Sequence, residues 1–174
     1  MHPGKMIPVH PLPEGVRVRP ATPDDAPSIR SLVRGLAEYE RLPPPDEAAE
    51  NRLIHDMFST PPRIQPFLGE CDGLAAGYAF VFETYSSFLA LPTLYLEDLF
   101  VLPQFRGRKL GYAMFTAMVA EAHRRGCGRM EWSVLDWNRL AIDFYEGLGA
   151  KELNEWRVYR LVRYDMEQIL GIRE

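Results

Sequence analysis

One stretch of the chain, from Tyr95 to Gly126, constrains the fold more than any other. It reads YLEDLFVLPQFRGRKLGYAMFTAMVAEAHRRG. It begins as an apolar segment that holds Glu97 and Asp98, turns at Pro103, and then places three cations and two glycines between Arg106 and Gly111. A segment with the apolar periodicity of a helix follows at once. This order predicts a buried strand, a short cationic turn and the start of a helix.

The cationic turn has the properties of an anion-binding site. The first turn of a helix presents backbone N–H groups that have no intrahelical partner, and the helix dipole adds partial positive charge. Gly107 and Gly111 allow a ligand to approach the backbone closely. Arg106, Arg108 and Lys109 add formal charge. A phosphate or pyrophosphate is therefore the expected ligand.

Two common nucleotide-binding patterns do not fit this turn. A P-loop needs four residues between its glycines and then Gly-Lys-Ser/Thr, whereas three residues separate Gly107 from Gly111, and Tyr112 follows. The dinucleotide pattern GxGxxG is also absent. From these residues alone, an exposed basic turn without a ligand remains the alternative interpretation.

Composition and charge argue against several classes of function. The chain has 174 residues, of which 47% are hydrophobic and 25% charged, with a formal net charge of −4. These values suit one globular domain and give no basic face for nucleic acid. We expect no membrane association, because no apolar run approaches the ~20 residues that span a bilayer. Cys71 and Cys127 lack metal-ligand spacing, so free thiols and a cytoplasmic location are expected.

Periodicity predicts alternating strands and helices after a proline-rich leader at residues 1–15, with one domain over 16–174. His2 and His10 of the leader could bind a metal, although an unstructured arm is the simpler interpretation. The predicted strands are 16–20, two strands joined by a hairpin turn at Asp72-Gly73, 93–102, 129–136, and one or two within 151–163. The predicted helices are 22–42, 46–58, 110–125, 138–148 and a short tail at 166–170. The apolar residues expected to face the core from the first two helices are Ile29, Leu32, Val33, Leu36, Ala37, Leu53, Ile54 and Met57.

The segment RGRKLG, between a strand and an amphipathic helix, resembles the acetyl-CoA signature of the GNAT family of N-acetyltransferases, Arg/Gln-x-x-Gly-x-Gly/Ala. Arg106 and Gly111 match it, and Lys109 stands where the family prefers its middle glycine. VLDWNRLAIDFYEGLGA (Val134–Ala150) and RPATPDDAPSIRSLVRGLAEYE near the start resemble the branch of spermidine/spermine and thialysine acetyltransferases. The resemblance covers most of residues 16–165. It implies a single α/β domain with a mixed, mostly antiparallel sheet of six to seven strands, splayed in the middle and flanked by about four helices.

The resemblance also implies acetyl-CoA as co-substrate, without a metal. The backbone of Leu99, Phe100 and Val101 would pair with the pantetheine arm, and one of these N–H groups would hold the thioester oxygen and then the oxyanion. The other cofactor-binding residues that it implies are Arg106, Gly107, Arg108, Lys109, Leu110, Gly111, Tyr112 and Asn138. Asn138 also suits a helix N-cap.

Tyr145 is the predicted general acid, because the family places a tyrosine at this position near the sulfur of CoA. A phenol with a pKa of about 10 can donate a proton to a thiolate. The alternative for an aromatic residue on an amphipathic helix is core packing.

Glu97 is the predicted base, acting through a water. A carboxylate in an apolar strand is costly unless it has a role or a partner, and crowding would raise its pKa towards neutrality. A structural ion pair is the alternative. Because successive strand residues face opposite sides, we expect only one of Glu97 and Asp98 in the site. Asp98 then forms a salt bridge behind the sheet or joins the substrate pocket at a bulge.

The expected substrate is a small primary amine. The segment AEYE at 37–40 resembles the place where polyamine-type enzymes surround the amine. The resemblance therefore implies Tyr39 and Glu40, together with Glu97 and Asp98, as substrate-binding residues. For Tyr39 and Glu40, a solvated helix end is the alternative. Ser86 and Phe88 stand where those enzymes carry an aspartate and a tryptophan. With fewer carboxylates, a diamine or a lysine-like amino acid is expected rather than spermine.

Two other functions stay open at this point. The first is an acyl-CoA-binding sensor or interaction module without turnover, which would keep the cationic turn but would not need Tyr145 and Glu97. The second is an acetyltransferase that acts on protein lysine or on an antibiotic. Because relatives are often dimers, a homodimer is expected.

Overall fold

A computed structural model of the chain describes residues 11–172, so the leader up to His10 lies outside the described residues. The strands are β1 (Val16–Pro20), β2 (Gln65–Cys71), β3 (Leu74–Ser86), β4 (Leu91–Val101) and β5 (Arg129–Glu131). The helices are α1 (Ala26–Glu40), α2 (Glu47–Phe58), α3 (Leu110–Arg124), α4 (Arg139–Gly147) and α5 (Arg163–Leu170). The described residues divide into two compact units, 11–133 with all five strands and 134–172 with α4 and α5.

The sheet is mixed and mostly antiparallel, as predicted. Its strand order is β1-β2-β3-β4-β5, and only the pair of β4 with β5 is parallel. The hairpin predicted at Asp72-Gly73 is present, with φ angles of 52° and 77° at the two residues. Both angles are positive, as the tight two-residue turn between antiparallel strands requires.

The number of strands is lower than predicted, five instead of six to seven. Residues 151–162 contain no strand, and β5 ends at Glu131 rather than near Asp136. The alternation around Val158 and Tyr159 predicted a strand, but these side chains are 85% and 87% exposed. Alternation reports a preference for an extended backbone, whereas a strand also needs a hydrogen-bonded neighbour. The tail helix is longer than expected, because it begins at Arg163.

The sheet opens between β4 and β5, as the predicted splay requires. The two strands pair only where Thr93–Tyr95 lies beside Arg129–Glu131. Beyond Tyr95, β4 continues to pair with β3 as far as Val101. Leu99–Val101 therefore pairs with β3 on one side, and on its other side no strand of the described residues lies beside it.

Helices α1, α2 and α3 pack against the sheet. The core between α1, α2 and the sheet contains Ile29, Leu32, Met57, Leu68, Tyr78, Phe80 and Phe100. The helix that follows the cationic turn, α3, comes very close to the sheet at Gly69, where a Cβ atom would lie 2.5 Å from Met114 Sδ.

Cys71 and Cys127 are free thiols. None of the described helices has the length and apolar character needed to cross a bilayer.

Candidate active site

A cavity of about 480 Å³ lies within the unit 11–133, against the predicted base. Its lining residues are Val33, Leu53, Asp56, Arg63, Ile64, Phe80, Phe82, Glu97 and Asp98. Val33 and Leu53 pack against the core, as predicted, and they also form part of the cavity wall. The volume falls within the range of about 300–1,000 Å³ that is common for small-ligand sites, and the walls are mainly apolar.

A β-bulge turns both carboxylates of β4 towards this cavity. Phe80 of β3 pairs with Asp98, but the next residue, Val81, pairs with Leu96. Glu97 is therefore the extra residue of the bulge, and the regular alternation of sides is interrupted there. Glu97 and Asp98 both line the cavity. The expectation that only one of them enters was wrong, and the bulge is the alternative that the structure shows.

Asp98 is half-buried and is the less exposed carboxylate of the pair, whereas Glu97, which was expected to be crowded, is exposed. The Tyr78 hydroxyl, on a residue that is 0% exposed, donates a hydrogen bond to Asp98 Oδ2 at 3.1 Å. Burial raises the pKa of Asp98 to about 6; the charges of Glu97 and Glu40 act in the same direction, and the bond from Tyr78 opposes them. A bound cation would favour the ionised form of Asp98.

The end of α1 lies close to both the cationic turn and the carboxylates. The ring of Tyr39 has the guanidinium carbon of Arg106 4.5 Å from its centre, and its centroid is 6.3 Å from that of Phe100. Burial raises the pKa of Glu40, and the Glu40 charge in turn helps to raise the pKa of Asp98. Tyr39 and Glu40 are both half-buried rather than part of a fully solvated helix end.

The backbone of the cationic turn has the form that an anion site needs. Gly107 and Lys109 have φ angles of 79° and 61°, in the left-handed region. The N–H of Ala113 donates to the Lys109 carbonyl at 2.9 Å, which places the amides before it ahead of the helical ladder. Lys109 thus occupies a position that favours glycine, at a cost of about 1 kcal/mol. A Cβ atom on Gly111 would lie 3.9 Å from Val101 Cγ2, so the glycine is not required by the packing of the chain itself.

The arginine side chains of this turn are already engaged within the protein. Arg106 Nε donates to the Val101 carbonyl at 3.1 Å. Arg108 Nη2 donates to Asp72 Oδ2 at 2.7 Å, across to the hairpin between β2 and β3. Lys109 is exposed. The residues present fit a diphosphate, with backbone amides as the principal donors and Lys109 as an additional cation.

The unit 134–172 carries the other predicted residues. Asn138 caps α4, since its Oδ1 accepts from the Ala141 N–H at 3.3 Å, which confirms the predicted capping role. Tyr145 is half-buried on α4, and burial raises its pKa to about 12. The phenol is therefore protonated at neutral pH. Its ring meets that of Phe144 edge to face, with centroids 5.4 Å apart.

Several residues of the cavity were not predicted from the sequence. Asp56 and Arg63 lie far from β4 along the chain, and no local pattern connects them with Glu97. Tyr78 does not line the cavity but contacts Asp98 from the core, and its hydroxyl in a nearly continuous apolar strand was the one usable signal in the sequence. Among residues 11–172, no three His, Cys, Asp or Glu side chains form a group that could hold a metal ion. A metal-free reaction stays a prediction.

Comparison with known sequences identifies the family of the chain. The acetyltransferase (GNAT) family model matches residues 29–150, a span that contains both carboxylates, the cationic turn and Tyr145. The chain is 32% identical to the L-ornithine N5-acetyltransferase NATA1 of Arabidopsis thaliana, over 83% of each protein. It is 33% identical to the thialysine N-epsilon-acetyltransferase of Mus musculus, over 89% of this chain and 97% of the mouse enzyme.

Solved structures show the same fold. An integron cassette protein from the mobile metagenome of V. cholerae superposes with a TM-score of 0.78, over 90% of this chain and 98% of that protein, at 20% sequence identity. The fold, the family match and the similarity to named N-acetyltransferases agree with one another. The chain therefore belongs to the acetyltransferase (GNAT) family and is an N-acetyltransferase.

Proposed function

We propose that this enzyme transfers the acetyl group of acetyl-CoA to a primary amine of a small molecule, either a diamine or a lysine-like amino acid. One observation carries the proposal: Glu97 and Asp98 enter the same apolar-walled cavity at a bulge. Carboxylates bind an ammonium group, and apolar walls suit the methylene chain that bears it. Two of the most similar enzymes are named for ornithine and for thialysine, which are amines of this kind.

The cationic turn is the proposed site for the diphosphate of CoA, the usual acetyl donor of GNAT enzymes. Amides from Gly107 to Gly111 would donate to phosphate oxygens, and Lys109 would add charge. The open edge of Leu99–Val101 would pair with the pantetheine arm, and one of its N–H groups would donate to the acyl oxygen. Tyr112 and Leu110 lie in the first turn of α3, and Asn138 is the remaining residue assigned to the donor.

The carboxylates prepare the amine. Asp98, oriented by the hydroxyl of Tyr78, would bind the ammonium together with Glu40 and Tyr39. Glu97 is the more exposed of the pair, so it can reach a water and accept a proton through it. Removal of one proton from the ammonium gives the neutral amine that attacks the thioester carbon.

Tyr145 is the proposed partner of the departing sulfur. With a pKa of about 12, its phenol is protonated and can donate a hydrogen bond. Proton transfer from this phenol alone to a thiolate of pKa about 8.5 is uphill. The attacking nitrogen becomes acidic as the N–C bond forms and can return a proton to the phenol. The net transfer is then from the nitrogen to the departing sulfur. The C–S bond breaks, and the products are the N-acetylated amine and CoA with a free thiol.

Release of the CoA thiol tests the proposal directly. Purified enzyme is supplied with acetyl-CoA and, separately, with L-ornithine, 1,4-diaminobutane, thialysine, spermine, a lysine-containing peptide and an aminoglycoside. We expect saturable turnover on one or more of the first three, with the others slower. Binding of CoA without turnover on any amine would favour an acyl-CoA-binding module. Preference for the peptide or the aminoglycoside would identify a different acceptor.

Replacing Tyr145 by phenylalanine tests the proposed acid. We expect kcat to fall about 100-fold or more, while the Kd for CoA measured by calorimetry stays within about two-fold of the wild-type value. Equal losses in kcat and in CoA affinity would remove Tyr145 from the chemical step.

A homodimer and a cytoplasmic location are part of the same proposal. Sedimentation equilibrium of the purified enzyme tests the first, and a mass equal to that of one chain at micromolar concentration would contradict it.

A further inference from the structure

The acceptor cavity carries charges of both signs, which a site for a simple diamine does not require. Asp56, Glu97 and Asp98 supply carboxylates, and Arg63 is the cationic residue among the described residues that line the cavity. A ligand that carried only ammonium groups would gain nothing from a guanidinium group placed beside it. The charge pattern therefore indicates a ligand that has a carboxylate as well as amines.

Arg63 is held less closely by its carboxylate partner than other arginines of the chain. Arg34 and Arg108 contact their carboxylate partners at 2.6 and 2.7 Å. The nearest contact of Arg63 with Asp56, from Nε to Oδ1, is 3.5 Å, longer than a normal hydrogen bond, and the Arg63 side chain is 81% exposed. A guanidinium group has five N–H donors in a fork that matches a carboxylate. Arg63 can therefore accept a second, better-aligned carboxylate partner.

The backbone holds this arginine at the cavity even though its side chain is exposed. The N–H of Arg63 donates to the Asp56 carbonyl at 2.9 Å, which ties the segment after α2 back to the helix. Ile64, the next residue, is part of the cavity wall. Asp56 and Arg63 thus stay beside each other on the helix side of the cavity, while Glu97 and Asp98 come from the sheet.

We propose that Asp56 and Arg63 bind the α-amino acid head of the acceptor, and that Glu97 and Asp98 bind its side-chain amine. Arg63 takes the α-carboxylate and Asp56 the α-ammonium, so that their loose mutual contact is exchanged for two contacts with the ligand. Leu53, Ile64 and Phe82 would cover the methylene chain between the two ends. The inference rests on the proposed function and narrows its substrate from small amines to basic amino acids such as ornithine.

Matched substrates distinguish binding of the α-carboxylate from binding of the side-chain amine. L-Ornithine and 1,4-diaminobutane have the same carbon chain between amines, but only ornithine carries a carboxylate. For Arg63→Gln we expect the KM for ornithine to rise about ten-fold, with the KM for 1,4-diaminobutane within two-fold of the wild-type value. Arg52→Gln is the control, because Arg52 is exposed on α2 and does not line the cavity. Its KM values for both substrates should match those of the wild type.

A second pair tests Asp56. 5-Aminopentanoate keeps the carboxylate and the side-chain amine of ornithine but lacks the α-amine. Asp56→Asn should raise the KM for ornithine about ten-fold and leave that for 5-aminopentanoate unchanged.

Equal changes on both members of a pair, or no change on either, would overturn the inference while leaving the proposed function intact. If the wild type turns over no amine, the proposed function fails, and calorimetric binding of ornithine against 1,4-diaminobutane to wild type and Arg63→Gln still decides the role of Arg63.

Discussion

The acceptor cavity and the cationic turn both handle charged groups, but they do so with different parts of the chain. In the cavity, the functional groups are side chains, and their surroundings change their chemistry: burial raises the pKa of Asp98 to about 6. In the turn, two of the three cations are engaged, Arg106 with the Val101 carbonyl and Arg108 with Asp72. What the turn offers a ligand is chiefly backbone, shaped by positive φ angles at Gly107 and Lys109.

This difference predicts different responses to mutation. A side-chain site is sensitive to substitutions that keep the shape and remove the charge. A backbone site tolerates the loss of a charged side chain, but it is sensitive to an added atom at the point where the ligand approaches the chain. Variants of each region can therefore be compared by measuring CoA affinity and amine turnover.

The largest effect is expected from Glu97→Gln, which keeps the size of the side chain and removes the proton acceptor. We expect kcat to fall about 100-fold or more and the Kd for CoA to stay unchanged. The measurement is steady-state thiol release together with calorimetry. If kcat falls less than three-fold, Glu97 is not the base.

The pH dependence of amine use tests Asp98. Its folded-state pKa of about 6 lies above the ordinary value, so the carboxylate is ionised above pH 6 and becomes protonated as the pH falls below it. The ratio of kcat/KM for wild type over Asp98→Asn cancels the titration of the amine itself. We expect this ratio to be low at pH 5, to rise about ten-fold with Asp98 ionisation, and to level off above pH 7. A ratio that does not vary with pH would show that the charge of Asp98 is not used.

Asp98→Asn should also change stability in a predictable direction. Because the folded protein holds the Asp98 proton more tightly than the unfolded chain does, this carboxylate lowers stability as the pH rises from about 4 to 6, and the loss is complete at higher pH. Asparagine can still accept the hydrogen bond from Tyr78. We therefore expect the variant to melt at a higher temperature than the wild type at pH 8, with a smaller difference at pH 4. A lower melting temperature at pH 8 would contradict the burial of an unpaired charge.

Gly111→Ala isolates the backbone contribution of the turn. The added Cβ atom would lie 3.9 Å from Val101 Cγ2, an ordinary contact, so the fold can accept it. Alanine in place of glycine within α3 should raise the free energy of unfolding by about 0.5–1 kcal/mol. We expect the Kd for CoA to rise about ten-fold because the methyl group stands where the ligand meets the backbone. Unchanged CoA affinity in this stabilised variant would place the diphosphate elsewhere.

The smallest effect is expected from Arg108→Ala. Its guanidinium already binds Asp72, and both side chains are largely exposed. We expect CoA affinity to fall by less than about three-fold, because solvent screens an exposed charge and Asp72 already holds the guanidinium group. A ten-fold loss would show that the turn works through its arginine side chains, and the contrast with the cavity would no longer hold.

The features that the sequence predicted well depend on local signals. The hairpin at Asp72-Gly73, the cationic turn before α3 and the cap at Asn138 each follow from a few adjacent residues. The position of Lys109 shows how such a signal works, because the residue that replaces the usual glycine of the motif adopts the left-handed angle that glycine prefers.

The features that were missed depend on pairing between distant segments. The bulge at Glu97 arises from the register of β4 against β3, which the alternation within β4 does not encode. Asp56 and Arg63 reach the cavity only because α2 packs beside the sheet. The strands predicted within 151–163 had suitable alternation but have no hydrogen-bonded strand neighbour in the structure.

A crystal structure of the enzyme with CoA and L-ornithine would test both binding sites together. We expect the diphosphate within hydrogen-bonding distance of the amides of Gly107–Gly111, and the side-chain amine of ornithine between Glu97 and Asp98. CoA bound away from this turn, or ornithine bound outside the cavity, would contradict it.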